Sequence, residues 1–282
     1  MNRLRELNSI NRIRLELNQY GITPRKCIQR FKAKNNDVRI LANSIPKSGT
    51  NLLSRALYLV PEMRRHFSKT IDENSGSRIF NKLRALKGNE FLVAHLPYQN
   101  EIDRVIEEEK ISHILVVRDP RDIVVSNYDY LMKKDVGHRL YNCLNEQYSN
   151  EHERLMALIT GISEEVIGDG KRSRSLDEHI SEYSKWLNSR AILVVKFEDL
   201  VGPNGGGSHE KQVNALASIY NFCNMELDIN ELADVADQLY SPSSRTFNKG
   251  QIGIWRKRLS GDHLGALGDS TIKLLNQFGY CE

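Results

Sequence analysis

The chain has 282 residues, of which 40% are hydrophobic and 27% charged, and its net charge is +4. This composition is ordinary for a soluble globular protein, and the length suits one large α/β domain or two small ones. The sequence predicts no membrane-spanning segment, because every apolar run is far shorter than the roughly 20 residues that cross a bilayer.

The N-terminal sequence, the cysteines and histidines, and the net charge further limit the kinds of protein that this chain can be. The N-terminus carries arginines without an apolar stretch, so no secretory signal is visible. The four cysteines are scattered, and the eight histidines form no metal-binding motif. The mild positive charge suits an anionic ligand and does not by itself indicate nucleic-acid binding. We therefore expect a cytoplasmic protein with no metal, no nucleic-acid partner and no stable membrane association. No pattern indicates its oligomeric state.

Residues 1–36 are basic and amphipathic. Apolar residues recur there at helical spacing, namely Leu4, Leu7, Ile10, Ile13, Leu17 and Tyr20. The same stretch holds nine basic residues: Arg3, Arg5, Arg12, Arg14, Arg25, Lys26, Arg30, Lys32 and Lys34. The pattern predicts a helical extension that packs on a domain formed by residues 37–282, because an apolar stripe needs a surface to cover it. An arm that binds a membrane or a nucleic acid is the alternative.

A strand–loop–helix unit follows. Residues 38–44 read as a buried strand, and residues 52–60 have the apolar spacing of a helix. The loop between them contains Lys47, Ser48, Gly49, Thr50 and Asn51. Such a loop predicts a phosphate site, because glycine permits close approach, the helix N-terminus offers N–H groups, and lysine adds a charge. The lysine precedes the glycine, unlike the Walker A order, and a plain turn capped by Ser48 or Thr50 is the alternative.

Two further strands each end in a residue suited to chemistry. His95 follows the apolar residues 91–94, and a histidine there suits a general base, although a structural role is the more common one. Arg118 follows the apolar residues 113–117, and Ser126 lies in the predicted helix after it. Together they suit a second phosphate. An ion pair of Arg118 with Asp119 or Asp122 is the alternative, and Asp122 resembles a helix N-cap.

The rest of the chain completes an α/β pattern. Residues 133–175 are polar and irregular, which predicts a substrate loop or lid, or else a helical excursion near residues 151–159. Residues 191–196 read as a fourth strand, followed by Phe197. Segments with helical periodicity lie at residues 102–110, 123–132, 176–188, 209–239 and 263–278.

Strands that alternate with helices predict a single α/β domain with a central parallel sheet flanked by helices. Ligands of such sheets bind at the carboxyl ends of the strands. The residues expected to converge there are Lys47, His95, Arg118 and Phe197. Later in the chain, Lys249 and Gly250 precede Trp255, so this basic segment suits closure over a phosphate, or else forms an exposed turn.

Taken together, these segments resemble the sulfotransferases that use 3′-phosphoadenosine-5′-phosphosulfate (PAPS). Residues 46–50 are similar to the 5′-phosphosulfate loop of that family, and Arg118 with Ser126 is similar to its 3′-phosphate pair. His95 falls in the segment that bears the family's base, and residues 197–199 resemble its Tyr-Glu-Asp segment. The late Lys249, Gly250, Gly253 and Trp255 resemble its last signature.

Four departures from the family pattern concern the donor and the base. Leu52 stands where a tryptophan is usual, and Phe197 replaces a tyrosine. Val93 stands where many members have a lysine, and Asn248 replaces an arginine. The resemblance implies donor contacts from Lys47, Ser48, Gly49, Thr50, Asn51, Leu52, Arg118, Ser126, Phe197, Asn248, Lys249 and Gly250.

The resemblance also implies a reaction. His95 would take a proton from a hydroxyl or amine of a small-molecule acceptor, and Lys47 would stabilise the leaving group, with PAPS as co-substrate and no metal. Acidic residues at Asp135, Glu146 and Asp169 would favour a cationic acceptor such as an alkaloid, unless they are solvated surface. A kinase with a P-loop-like fold and a non-catalytic nucleotide-binding or RNA-binding module are the alternative functions.

Overall fold

The computed structural model describes residues 37–66, 68–240 and 250–280. The predicted extension at residues 1–36 therefore lies outside the described residues, as do Asn248 and Lys249. Among the described residues, no helix combines the length and apolarity needed to cross a membrane.

The strands are β1 Arg39–Ser44, β2 Arg64–Arg65, β3 Ile71–Asp72, β4 Glu90–His95, β5 Ser112–Val117 and β6 Ile192–Lys196. The first helices are α1 Thr50–Leu59, α2 Arg78–Arg84, α3 Asn100–Glu108, α4 Pro120–Lys133, α5 Arg139–Gln147, α6 Glu151–Thr160 and α7 Glu164–Ile167. They are followed by α8 Leu176–Ser184, α9 Phe197–Leu200, α10 His209–Phe222, α11 Ile229–Leu239, α12 Gly261–Gly265 and α13 Asp269–Gln277. Short 3₁₀ turns cover Glu73–Ser75, Lys185–Asn188, Pro203–Gly205 and Ile254–Lys257.

One parallel sheet organises these elements. Its strand order is β2-β4-β1-β5-β6, and β3 also pairs with β4. The strands of this sheet pair in parallel throughout, which confirms the predicted sheet. β1 and β5 lie in the middle, so the loops that follow them open at the centre of the carboxyl edge.

Both faces of the sheet are covered. Ile40 and Ala42 of β1 pack with α1, α10 and α11, whereas Leu41 between them packs with α2, α3 and α8 on the other face. Alternate residues of a strand point to opposite faces, so a strand buried on both sides must be apolar throughout. This explains why β1, β4 and β5 appear in the sequence as unbroken apolar runs.

The four long strands agree with the predicted runs to within one or two residues, whereas short elements were missed. β2 and β3 have two residues each, which is too short for a visible alternation. The predicted helix over residues 209–239 divides into α10 and α11, and the one over residues 263–278 divides into α12 and α13.

Residues 133–175 are not irregular, because the predicted alternative of a helical excursion near residues 151–159 is correct, whereas the role of this stretch as a substrate loop or lid stays a prediction. The stretch contains α5, α6 and α7. The glycines that suggested a loop instead end helices: Gly161 is the C-cap of α6, and Gly168 is the C-cap of α7 in the left-handed region. Ile162 pairs with Ser173 in an isolated antiparallel bridge, which joins the two ends of the segment that contains α7.

A buried histidine in β5 makes the stability of this fold depend on pH. His113 is 0% exposed, and its ring lies edge-on to Trp186 with centroids 4.4 Å apart. Within the described ranges, neither ring nitrogen has a hydrogen-bond partner. Burial lowers the pKa of His113 from 6.5 to about 3.

We predict that the free energy of unfolding falls as the pH drops from about 6.5 towards 3. Over this range His113 is protonated in the unfolded chain but stays neutral in the folded protein. At pH 5 the loss from this one group is about 2 kcal/mol. His113→Leu should therefore lose less stability between pH 7 and pH 5 than the wild type in urea unfolding. The exposed His209→Leu is the control, and equal pH dependence in all three proteins would contradict the prediction.

Candidate active site

A cleft of about 530 Å³ lies along the carboxyl edge of the sheet. Its walls come from the loops after β1, β4, β5 and β6 and from the facing sides of α1 and α4. This is the edge at which parallel α/β sheets bind ligands. The cleft is therefore the candidate active site.

The strand register sets the order of side chains along this edge. Asn43 pairs with Ala94 and Ser44 with Val116, while Val117 pairs with Lys196. One residue further on, His95 falls beside Ser44, and Arg118 falls beside Phe197. Neighbouring strands are about 4.8 Å apart, so β4 and β6, which flank β1 and β5, are about 14 Å apart. His95 and Phe197 therefore mark opposite ends of the cleft, with Lys47 and Arg118 between them.

The loop after β1 is shaped to present backbone groups to an anion. Lys47 has φ 71°, and Gly49, the N-cap of α1, has φ 108°. No side chain of the described residues caps this N-terminus, so a turn capped by Ser48 or Thr50 is not what forms. The helix dipole thus faces the cleft without a capping side chain, which favours a negatively charged ligand there.

Position 49 requires a glycine, because the Phe197 side chain occupies the space that a larger residue would need. A Cβ placed on this residue would lie 2.7 Å from Cδ2 of Phe197. The absence of a side chain lets the loop after β1 pack directly on the ring of Phe197 at the end of β6. The loop after β1 and the Phe197 ring at the end of the cleft are therefore in direct contact.

Lys47 points across the cleft towards α4. Its Nζ lies 3.7 Å from the centroid of the Tyr130 ring, within range of a cation–π interaction. Burial and the nearby Arg118 lower the pKa of Lys47 to about 8, while Asp135 opposes this shift. The ammonium is thus predominantly charged at neutral pH and incompletely hydrated. Both properties increase its attraction for an anion.

His95 is held by groups at the end of β1. Its Nδ1 lies 3.1 Å from the carbonyl oxygen of Ser44 and 3.2 Å from the hydroxyl of that residue. A carbonyl only accepts, so this contact assigns the hydrogen to Nδ1 and leaves the Nε2 lone pair as the basic site. Burial lowers the pKa of His95 below 6.5, and Lys47 acts in the same direction. The imidazole is therefore neutral at pH 7, as a base must be.

The chain around His95 is fixed by a buried amide. Asn43 Nδ2 donates to the carbonyl of Leu96 at 2.9 Å, and the N–H of Leu96 donates back to Asn43 Oδ1 at 2.9 Å. Trp186 Nε1 donates to the same carbonyl at 2.9 Å. These bonds join the ends of β1 and β4. Buried hydrogen bonds therefore fix the distance between His95 and the loop after β1.

Arg118 connects three parts of the site. Its Nη1 donates to the carbonyl of Lys47 at 3.3 Å, and its Nη2 donates to the carbonyl of Gln251 at 2.8 Å. The guanidinium lies 4.2 Å from the Phe197 ring centroid. The ion pair that the sequence left open is present, with 3.6 Å between Nη2 of Arg118 and Oδ2 of Asp122. The arginine thus has structural partners and also lines the cleft.

Asp122 is not the helix N-cap that the sequence suggested. The N-cap of α4 is Asp119, whose side chain accepts from the N–H of Arg121. Asp122 lies in the first turn, 0% exposed, and accepts from the N–H groups of Gly253 at 2.7 Å and Trp255 at 3.0 Å. Burial raises its pKa, and Arg118 and these two N–H groups oppose the shift. Asp122 therefore attaches the late glycine–tryptophan segment to the site.

The structure brings most of the predicted site residues together. Those that line the cleft are Lys47, Gly49, Thr50, Asn51, Leu52, His95, Arg118, Ser126, Phe197 and Gly250. Ser48 is 0% exposed and lies beneath the loop. Asn248 and Lys249 are outside the described residues, so their part in the site stays a prediction.

Sequence reasoning missed several side chains that line the same cleft, among them Arg55, Arg65, Thr70, Asn127, Tyr130 and His138. Helical spacing offered a signal for two of them. Tyr130 follows Ser126 by four residues and Arg55 follows Leu52 by three, so each shares a helix face with a predicted ligand residue. Arg65 and Thr70 come from the short region around β2 and β3, which carried no pattern.

Two buried donors indicate that the site suits a phosphorylated nucleotide. Within residues 37–66, 68–240 and 250–280, Arg118 Nε and Ser48 Oγ are buried without a hydrogen-bond partner. Buried polar groups are normally satisfied, so such groups beside a cleft point to a missing ligand or water. Of these two residues, Arg118 lines the cleft, and together with Lys47 and the uncapped helix N-terminus it forms a donor set that matches phosphate oxygens. In the described part of the chain, no group of His, Cys, Asp or Glu is arranged to hold a metal ion.

We predict that Gly49→Ala destabilises the protein by about 1–3 kcal/mol, because its Cβ meets the Phe197 ring and its φ of 108° disfavours alanine. Urea unfolding measures this loss. The matched control is Gly76→Ala, where φ is also positive at 55° but nothing lies within 4 Å of the added Cβ. Equal losses in both variants would show that only backbone strain matters at Gly49.

Curated proteins resemble this chain over most of its length. "Sulfotransferase 4A1" of Homo sapiens is 22% identical over 244 residues, which cover 81% of this chain and 76% of the relative. The mouse protein of the same name is 22% identical over 241 residues, covering 80% of this chain and 75% of the relative.

Solved structures share the fold. The mouse sulfotransferase SULT7A1 complexed with PAP superposes with a TM-score of 0.58 at 17% identity, covering 91% of this chain and 94% of that one. Retinol dehydratase in complex with androsterone and inactive cofactor PAP gives a TM-score of 0.55 at 14% identity, covering 90% and 85%.

A family model described as "Sulfotransferase domain" matches residues 37–279, which is nearly the whole described chain. This match does not favour the kinase and the non-catalytic binding module, which the sequence left open. The chain belongs to the sulfotransferase family.

Proposed function

We propose that this sulfotransferase moves a sulfuryl group from PAPS to a hydroxyl or amine of a small-molecule acceptor, with His95 as general base and Lys47 at the leaving group. The observation that carries the proposal is the order of side chains along one cleft. A base lies at the end of β4, a cationic phosphate loop follows β1, an arginine follows β5, and an aromatic ring follows β6.

The nucleotide is proposed to lie along the cleft with its ends fixed by this order. Lys47 and the N-terminus of α1 would hold the 5′-phosphate, and Arg118 with Ser126 would hold the 3′-phosphate. The adenine would lie towards Leu52 and Phe197, because both are apolar and line the cleft on the side away from His95. Phe197 gives one ring face to Arg118, so its contact with the base is through the other face or its edge.

When bound, PAPS supplies a sulfuryl group attached to a phosphate that leaves readily. The chain's own residues do the rest. Nε2 of His95 takes the proton from the acceptor, and the Ser44 carbonyl stabilises the imidazolium that forms, by accepting from Nδ1–H. Lys47 and the helix N-terminus stabilise negative charge on the departing phosphate. No metal is required in this proposal, because these groups provide the neutralisation.

The acceptor is proposed to enter beside His95, where Arg65, Thr70 and His138 also line the cleft. The acidic residues that suggested a cationic acceptor do not line it. Asp169 is paired with Arg139 at 2.7 Å, which leaves it occupied on the surface. A polar natural product remains within the proposal, as do a cytoplasmic location and the absence of nucleic-acid or stable membrane partners.

We predict that His95→Ala lowers turnover at least about 100-fold, because the acceptor then loses its base. Affinity for PAP should be nearly unchanged, since the phosphate contacts come from other strands. Mass spectrometry of sulfated products from a panel of hydroxylated and amine-bearing compounds measures turnover, and calorimetry measures PAP affinity. His209→Ala, at an exposed histidine, is the control. Near-normal turnover in His95→Ala would remove the general-base assignment.

A second prediction separates direct phosphate contact from loop support at Arg118. Arg118→Lys keeps the charge opposite Asp122 but loses the forked guanidinium, so PAP affinity should fall by about 10-fold to 100-fold. Adenosine 5′-phosphate lacks the 3′-phosphate, so its affinity should change little. Calorimetry with both nucleotides on both proteins gives the comparison. An equal loss for the two ligands would show that Arg118 acts through the loop and not on the 3′-phosphate.

A further inference from the structure

The net positive charge of the chain comes from its first 36 residues. That segment holds nine basic and two acidic residues, so it contributes +7 to a net charge of +4 and leaves −3 for all that follows. A basic segment attached to an acidic domain is attracted to it, and the attraction is strongest where carboxylates are not already neutralised.

A second cleft, of about 440 Å³, lies at the amino edge of the sheet, opposite the active site. Its walls include Val38 just before β1, Met63 just before β2 and Asn89 just before β4. The floor is apolar, formed by Leu59, Val60, Met63, Met225 and Val235. This cleft has no role in the proposed reaction, because every proposed catalytic residue lies at the other edge.

Carboxylates surround this apolar floor. Glu62, Glu226, Glu231 and Asp234 line the cleft, and no lysine or arginine does so among the described residues. None of the four forms an ion pair with a basic group of the described chain; Glu231 accepts only from the N–H of Asp228, in the capping box of α11. The surface is thus apolar at its base and negatively charged at its rim.

We propose that residues 1–36 dock in this cleft within the same molecule. The apolar stripe from Leu4 to Tyr20 covers the floor, and the flanking arginines pair with the acidic rim. An amphipathic helix with a basic polar face is the complement of a groove with this distribution of charge and apolar surface.

The position of the junction supports an intramolecular contact. The segment joins the described chain at Asp37, and the next residue, Val38, is itself part of the cleft wall. About 16 residues separate Tyr20 from this point, and an extended chain reaches about 3.3 Å per residue. The stripe can therefore reach any part of the cleft while a short tether keeps its local concentration high.

Hydrogen exchange on the full-length protein tests the proposal without relying on its activity. In the wild type, amides of residues 4–20 should exchange at least about tenfold more slowly than in an isolated peptide of the same sequence. The double variant Glu62→Lys, Asp234→Lys should lose most of that protection, because it reverses the charge of the rim. Slow exchange in β1 and β5 of the variant shows that its fold is intact.

Asp237→Lys is the control for the α11 half of the double variant, since it makes the same substitution as Asp234→Lys at an exposed carboxylate outside the cleft. It should leave the protection of residues 4–20 within about twofold of the wild type. Three results would overturn the proposal: no protection in the wild type, equal loss in the double variant and the control, or protection that grows with protein concentration. The last result would indicate exchange of the segment between two copies.

Discussion

The site depends on the pairing of β1 between β4 and β5. This register places Ser44 beside both His95 and Val116, so His95, the loop after β1 and the strand that precedes Arg118 meet at one level of the sheet. Backbone hydrogen bonds fix it, and the buried Asn43–Leu96 bonds reinforce it on the β4 side. A one-residue slip would send every apolar side chain of β1 to the wrong face. The packing of the whole core thus maintains the spacing of the proposed catalytic groups.

Buried charge is the second organising feature. Arg118 and Asp122 are 4% and 0% exposed, a placement that is costly unless each charge is paired and hydrogen-bonded. Here the partners come from three different segments: the Lys47 loop, the 251–255 region and the strand end after β5. The hydrogen bonds and the ion pair of Arg118 and Asp122 therefore hold the walls of the cleft together. The same arginine is the proposed 3′-phosphate ligand, so structural and binding roles coincide in one side chain.

The structure shows what Phe197 and Leu52, two of the departures from the family pattern, contact. Phe197 retains an aromatic ring at the end of β6, and that ring packs on Gly49 and on the Arg118 guanidinium. The hydroxyl of a tyrosine is not needed for either contact. Leu52 keeps its place in the cleft but offers aliphatic surface where an aromatic ring is usual. Arg55, one turn further along α1, brings a planar cation to the same wall, with its Nε donating to the carbonyl of Gln238 at 2.7 Å.

By itself the sequence determined the long buried strands, the parallel sheet and the strand-end residues, because local periodicity and strand–helix alternation encode them. For residues 133–175 it left a loop and a helical excursion open, because glycines that cap helices look like loop residues. Nor did it identify Tyr130 as the partner of Lys47 or Asp122 as the acceptor for Gly253 and Trp255. Those contacts join residues about 80 or 130 positions apart, and only the packed sheet decides which distant side chains share a neighbourhood.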